Sequence, residues 1–256
     1  MNTRDVQPNI VAVVPVYNHE KAVGAVVDGI LAAGLPCILV DDGSRALCAH
    51  ALDELAARHP SQVRLVRLTE NQGKGGAVMA GLREASRLGY THALQIDADG
   101  QHDTGDIPRF ATESAARPDA IICGCPLYDE SVPKGRYYGR YATHVWVWIN
   151  TLSLAIRDSM CGFRIYPLAT TMALIDSTTL GSRMDFDTEI MVRLHWRGLD
   201  VVNVPTRVHY PADGVSHFRA WADNVLISRM HAGLFFGMLP RAPGLLWRKL
   251  FKRSRA

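Results

Sequence analysis

Asp97 and Asp99 stand two residues apart in Asp97-Ala98-Asp99-Gly100-Gln101, directly after an apolar run. Where a chain leaves a strand, two carboxylates at that spacing can turn onto one divalent cation, and Gln101 can add a neutral oxygen. Two carboxylates in an otherwise neutral oxygen set suit Mg2+ or Mn2+, which keep water and take phosphate oxygens as further ligands. Without a cation the two carboxylates repel each other. Taken alone, the segment reads equally well as a solvated loop or a helix cap.

Three further clusters accompany it. Pro15-Val16-Tyr17-Asn18 closes one apolar run and Asp41-Asp42-Gly43-Ser44 closes another. A carboxylate at Asp41 or Asp42 can accept from a base N–H or from ribose hydroxyls, as acidic residues do in nucleotide sites; an ordinary Asp-Gly turn is the bland alternative. Asn71-Gln72-Gly73-Lys74-Gly75-Gly76 supplies glycines, backbone N–H groups at a helix start and a lysine. Those features fit a diphosphate. A GxxxxGK[ST] loop is absent, and no GxGxxG follows the first strand, so neither a P-loop ATPase nor a dinucleotide dehydrogenase is indicated.

The elements that must position these clusters follow from hydrophobic periodicity. Strands are expected at Ile10–Val16, Cys37–Val40, Val63–Leu68 and His92–Ile96, with helices between them at about 22–33, 46–58 and 75–88. Strand–helix alternation with short connections is the signature of a parallel sheet covered on both faces. Ligands of such sheets bind outside the carboxyl ends of strands. Pro15–Asn18, Asp41-Asp42 and Asp97–Gln101 all fall at such ends, and that coincidence weighs more than any one cluster. The second half is less regular. Helices are expected over Asp106–Ala116, Tyr141–Ile156, Thr188–Trp196 and Phe218–Leu239, and strands at Ala120–Cys123 and Val201–Val204.

With 256 residues and 48% apolar composition the chain can bury a sizeable core. Its five cysteines are scattered without zinc-type spacing, which fits reduced thiols in a cytosolic protein. Cys123 and Cys125 fall along an expected strand, with one of them expected to face the core. The net charge of +3 is unevenly placed. Arg241, Arg248, Lys249, Lys252, Arg253 and Arg255 close the chain with no acidic residue among them; without these six, 22 basic residues face 25 acidic ones. That distribution argues against nucleic acid and for an anionic membrane surface. The polar start gives no sign of a secretory leader, and no apolar run of about 18 residues predicts a spanning helix.

Val14-Pro15-Val16-Tyr17-Asn18, Val40-Asp41-Asp42-Gly43-Ser44, Asn71-Gln72-Gly73-Lys74-Gly75 and Asp97-Ala98-Asp99-Gly100-Gln101-His102 resemble, in order and spacing, glycosyltransferase family 2. The likeness spans about residues 10–215 and is closest to the branch around dolichol-phosphate mannose synthase and other polyprenyl-phosphate sugar synthases. It implies a GT-A fold, an α/β architecture with a mostly parallel central sheet flanked by helices. It also implies a nucleoside-diphosphate sugar donor, Mg2+ or Mn2+, and inversion at the anomeric carbon. By analogy Asp41 or Asp42 reads the base, Asp97 the ribose–diphosphate region, and Asp99 and Gln101 hold the metal. Donor-side candidates are thus Pro15, Tyr17, Asn18, Asp41, Asp42, Lys74 and Asp97, and metal candidates are Asp97, Asp99 and Gln101.

The expected reaction moves a hexose from a UDP- or GDP-sugar to a lipid acceptor, with polyprenyl phosphate the leading candidate. A hydroxyl acceptor, whether lipid, glycan or polyketide-like chain, would need a carboxylate base. Asp187 and Glu189 are the candidates, in a stretch that resembles the family's Phe-Asp-x-Glu region, although the macrodipole favours acids at a helix start in any case. A phosphate acceptor is already ionised and needs cations instead, and Arg136, Arg140 and Arg164 are the candidates. Arg164 lies in Cys161-Gly162-Phe163-Arg164, which resembles the family's Ser-Gly-Phe-Arg with Cys in place of Ser. His209 and His217 are candidates for reaching the diphosphate or metal. A non-catalytic nucleotide-sugar-binding protein is the rival of another class, and the intact acidic motif argues against it.

The expected organisation is a GT-A domain over residues 1–217 and a helical, basic segment over residues 218–256. Many polyprenyl-phosphate enzymes of the family carry spanning helices at this end, and here Arg229 and His231 interrupt the apolar stretch. Beyond Pro243, Leu245, Leu246, Trp247, Leu250 and Phe251 cluster on one side of a helix, with Arg248, Lys249, Lys252 and Arg253 on the rest. This is an interfacial pattern. It predicts a cytoplasmic enzyme, peripheral on the inner face of the cytoplasmic membrane.

Overall fold

The computed structural model describes residues 7–127, 134–208 and 219–252. Strand β1 (Ile10–Val16) is rich in β-branched residues and buried along its whole length, as a central strand covered on both faces must be. It is followed by α1 (Val23–Ala32), β2 (Cys37–Asp41), α2 (Ala46–Arg58), β3 (Val63–Arg67), α3 (Lys74–Arg87) and β4 (His92–Gln95). Helix α1 buries Val23, Val26, Val27 and Ile30, a stripe at helical spacing. The second half adds α4 (Ile107–Ala116), β5 (Ile121–Leu127), α5 (Lys134–Thr151), β6 (Arg164–Pro167), α6 (Leu168–Ser177), α7 (Phe186–Trp196), β7 (Val201–Arg207), α8 (Ala220–Met238) and α9 (Ala242–Lys252).

Among the described residues seven strands form one sheet in the order β3-β2-β1-β4-β6-β5-β7. Neighbours are parallel except at β6, which runs antiparallel to both β4 and β5. Buried apolar residues form one cluster on each face. Residues of α1, α2 and α4 join the first, and residues of α3, α6 and α7 join the second. Met230 and Leu234 of α8 belong to the second cluster, so this helix, read from sequence as part of an appendage, is packed into the fold.

Register sets the working edge. Val16 pairs with Asp41 and Val13 with Gln95, so the chain leaves β1, β2 and β4 on the same side of the sheet. Strand β6 and helix α6 were not expected. Helix α5 stops at Thr151 rather than continuing to Ile156, because Leu152 adopts a left-handed backbone with φ of 50°.

Candidate active site

Asp97 lies just past β4 and sits at the centre of a polar network. Lys74, the first residue of α3, places Nζ 2.8 Å from Asp97 and 2.8 Å from Oδ2 of Asp187. Burial alone would lower the pKa of Lys74, but the carboxylates of Asp187 and Asp97 outweigh it and hold the ammonium well above its usual range. For Asp97 burial would act upward, yet the Lys74 charge prevails and holds it well below the usual carboxylate range. Lys74 Nζ stands 2.8 Å from each of the two carboxylate oxygens of Asp97, with Oδ2 accepting its hydrogen bond. His102 Nε2 stands 3.8 Å from Asp97 Oδ2.

Asp99 is half-buried, and its Oδ1 accepts from the N–H of Gln101. Burial, and after it the charge of Asp97, pushes the Asp99 carboxyl upward. No three His, Cys, Asp or Glu side chains of the described residues form a metal cluster. The side-chain ligand atoms that the segment itself offers, on Asp97, Asp99 and Gln101, are oxygens. The charge of Asp97 weighs on the neighbouring Asp99 carboxyl, and two such carboxylates fit a hard divalent cation that completes its shell with phosphate and water.

The end of β2 is locked rather than open. Asp42 accepts from the N–H of Gln72 at 2.7 Å, the N–H of Gly73 at 2.9 Å and the Asn71 amide at 2.9 Å. Burial raises the Asp42 pKa, and the two N–H groups act in the opposite direction. Asp41 accepts from Arg67 Nε at 3.0 Å and the N–H of Ser44 at 2.9 Å. Asn18, at φ of 56°, accepts from the N–H of Arg45 and donates its own N–H to Ser44 Oγ. Pro15 is buried inside β1 and Tyr17 is half-buried beside it.

The 71–76 segment differs from the diphosphate cradle that its glycines suggested. The N–H groups of Gln72 and Gly73 serve Asp42, and that of Gly76 serves the Ser182 carbonyl. Gly73 needs its freedom: its φ is 87°, and a Cβ there would lie 2.6 Å from Ser182 O. Of this segment, Lys74 is the residue that reaches the acidic centre.

Among the catalytic candidates, Asp187 is brought to Asp97 through Lys74. Its Oδ1 also accepts from Gln95 Nε2 at 2.9 Å, and it is 5% exposed. Glu189 is not brought there. Its carboxylate accepts from the N–H of Gly181 at 2.7 Å and pairs with Arg193 at 2.7 Å, one turn along α7. Arg164 corrects the expectation of a phosphate-binding cation. It is fully buried, donating to Ser159 O and Asp187 O at 2.6 Å each and to Tyr166 Oη at 3.2 Å. A guanidinium with no access to solvent is enclosed behind Asp187, bonded to protein groups instead. Arg140 forms a two-pronged pair with Asp158 at 2.7 Å. Arg136 lies in α5, its side chain outside the described residues, as are His209 and His217 altogether.

Several members of the site carried no role in the sequence reading. Gln95 is fully buried and bridges Asp187 to Tyr166, whose hydroxyl donates to Gln95 Oε1 at 3.0 Å. A glutamine inside an apolar strand, two positions before Asp97 and so on the same face, was the available signal. Gly162 stands against the Asp97 carboxylate so closely that a Cβ would lie 2.5 Å from its Cγ. Asp158 fixes that turn by accepting the N–H groups of Met160 and Cys161 at 2.8 Å each. Nothing in the sequence spacing marks these contacts.

The protein-family model for glycosyl transferase family 2 matches residues 11–179. The chain belongs to glycosyl transferase family 2. It is 30% identical to the dolichyl-phosphate beta-glucosyltransferase of Drosophila melanogaster over 201 residues, 70% of this chain and 60% of that one. It is 28% identical to the polyprenol monophosphomannose synthase of Mycolicibacterium smegmatis, covering 75% of this chain and 74% of that one. An uncharacterised protein of Methanocaldococcus jannaschii is 25% identical, over 81% of this chain and 91% of that one. Among solved structures, glucosyl-3-phosphoglycerate synthase of Mycobacterium tuberculosis in complex with Mn2+ and UDP-glucose superposes with a TM-score of 0.66 at 15% identity. That match covers 90% of this chain and 79% of the other. At such identity the likeness speaks for the fold, and the fold is GT-A. The expected likeness to the polyprenyl-phosphate branch is borne out by these relatives, and the chain is a glycosyltransferase.

Proposed function

We propose that this family 2 enzyme moves a hexose, with inversion, from a UDP- or GDP-sugar to a lipid phosphate of the polyprenyl type. The observation that carries the choice of acceptor is the state of Asp187. Both of its oxygens are engaged, one by Gln95 and the other by Lys74, and it is almost wholly buried. A carboxylate so held is poorly placed to strip a proton from an incoming hydroxyl. A phosphate monoester is already ionised and needs no base. The polyprenyl-phosphate enzymes among the relatives support the same choice.

In this reading Asp97, Asp99 and Gln101 hold Mg2+ or Mn2+, which when bound supplies charge stabilisation to the departing nucleoside diphosphate. Lys74 fixes Asp97 and Asp187 relative to one another and places a positive charge where the diphosphate leaves. Gln95, Tyr166 and Arg164 keep Asp187 in its orientation from behind. The ends of β1 and β2, joined through Ser44, Asn18 and Asp42, form the wall for the nucleoside.

The reading also takes in an anionic membrane surface. No described helix is long and apolar enough to cross a membrane. Helix α9 buries Leu245 and exposes Leu246, Trp247 and Leu250 beside Lys249, while α5 exposes Tyr141, Val145 and Ile149 at intervals of four together with Trp146. Neither α5 nor the chain beyond Asp223 contains an acidic residue. Exposed aromatic and aliphatic groups in acid-free, basic helices fit a bilayer interface.

The test is transfer itself. UDP- and GDP-hexoses are offered with Mn2+ and either a polyprenyl phosphate or the matching polyprenol. Labelled sugar is expected in the lipid fraction with the phosphate and not with the alcohol. Transfer to the alcohol, or to neither with any donor, would overturn the proposal.

A further inference from the structure

The segment from Gly181 to Asp185, just before α7, is held from several sides. Glu189 accepts the N–H of Gly181 at 2.7 Å, Asp185 accepts the N–H of Arg183 at 3.2 Å, and Ser182 O accepts the N–H of Gly76 at 2.9 Å. Any side chain at Gly181 would collide with the Asp185 carboxylate. This accounts for Glu189 and Asp185, two buried acids that contact neither Asp97 nor Lys74: they fix a loop.

The loop presents Arg183. The stem of that side chain lies against Gly73, where a Cβ would stand 2.8 Å from Arg183 Cγ. Arg183 is half-buried and its charge is felt by Asp42 at the end of β2. Among the described residues its guanidinium has no hydrogen-bond or ion-pair partner. Several other cations of the described residues differ in that respect. Lys74 is taken by Asp97 and Asp187, Arg67 by Asp41 and Asp53, Arg193 by Glu189 and Arg140 by Asp158. A loop held from several sides thus offers an unpaired cation beside Gly73, next to the start of α3.

We propose that Arg183 binds the diphosphate of the nucleotide-sugar donor. The inference rests on the glycosyl-transfer reading above and adds a donor contact to it. A guanidinium matches phosphate oxygens in a two-pronged geometry that an ammonium lacks. Packing the stem on Gly73 settles part of the side-chain ordering before the donor arrives, which lowers the cost of binding.

The experiment is calorimetric titration of UDP and GDP in the presence of Mn2+, with wild type, Arg183→Gln and Arg183→Lys, and uridine and guanosine as phosphate-free probes. For the nucleotide that wild type prefers, Arg183→Gln is expected to weaken binding by about 10- to 100-fold. Arg183→Lys should fall between, nucleoside binding should hold, and donor KM should rise with acceptor KM unmoved. Diphosphate binding by Arg183→Gln within about twofold of wild type would overturn the assignment while leaving the reaction standing. Equal losses for nucleoside and diphosphate would also overturn it. A wild-type protein that binds neither UDP nor GDP would instead overturn the donor reading on which it rests.

Discussion

Replacing Gly162 with alanine puts a methyl group into the space that the Asp97 carboxylate fills. The new Cβ would lie 2.5 Å from Asp97 Cγ, whereas ordinary contact begins at 3.4 Å. One side must retreat by about 0.9 Å at that atom, the difference between those distances. The glycine side is the stiffer. Asp158 holds the turn through Met160 and Cys161, Arg140 clamps Asp158, and the N–H of Gly124 donates to Phe163 O at 2.9 Å. The aspartate therefore yields, carrying its contact with Lys74 along. Over-packing of this kind costs about 1–3 kcal/mol of stability. In a chain of this size that lowers Tm by roughly 2–10 °C. A catalytic group displaced by about 1 Å costs on the order of 100-fold in rate. The assay is nucleotide release under a Mn2+ titration. Gly162→Ala should need about tenfold more Mn2+ for half-maximal activity, the loss typical when support behind a ligand is disturbed. Gly24→Ala, where nothing lies within 4 Å, serves as the silent control. A Gly162→Ala enzyme with the rate and Mn2+ requirement of wild type would refute the claim that this turn sets Asp97.

Other outcomes follow from the same contacts. Asp187→Asn should keep its rate within about tenfold if the acceptor is a phosphate, because a general base is worth about 10²–10⁴ and none is needed; a loss beyond about 10³ would point to a hydroxyl acceptor. Trp247→Ser combined with Leu250→Ser should reduce co-sedimentation with anionic liposomes, and Trp146→Ser should do so independently. Unchanged sedimentation of both would remove the membrane reading. Burial lowers the His231 pKa to about 4, with Asn150 its hydrogen-bond partner and Trp146 stacked beside it. Between that value and the ordinary histidine range the unfolded chain binds the extra proton, so stability falls as pH falls through this window. Denaturant unfolding should give about 2 kcal/mol less stability at about pH 5 than at about pH 7, and His231→Gln should flatten the slope. Equal slopes for wild type and variant would contradict it.

The first four strands and their helices were legible because each is a run whose period is unambiguous, buried on both faces in Ile10–Val16 or amphipathic as in α2. Strand β6 was not. Its four residues, Arg164–Pro167, are all buried, and a strand that includes an arginine and a proline carries no apolar pattern. The centre of the site was legible for a related reason. Asp97 and Asp99 follow an apolar strand at a spacing that few structural roles require. What spacing cannot convey is burial. Arg164 looked like a ligand cation and proves to be wholly enclosed, while Glu189 looked like a base and holds a loop. Contacts made across the fold, such as Gly162 on Asp97 and Tyr166 on Gln95, depend on a sheet order that reverses at β6, and local sequence does not encode that order.

The central claim is that the Asp97–Gln101 segment supports metal-dependent transfer from a nucleotide sugar. The most direct measurement is release of UDP or GDP from a panel of sugar donors with polyprenyl phosphate present, first with Mn2+ and then with EDTA. Release from a donor of one base is predicted, lost in EDTA, restored by added Mn2+ and absent in Asp99→Ala. Release that persists in EDTA, or an Asp99→Ala enzyme that matches wild type, would contradict it.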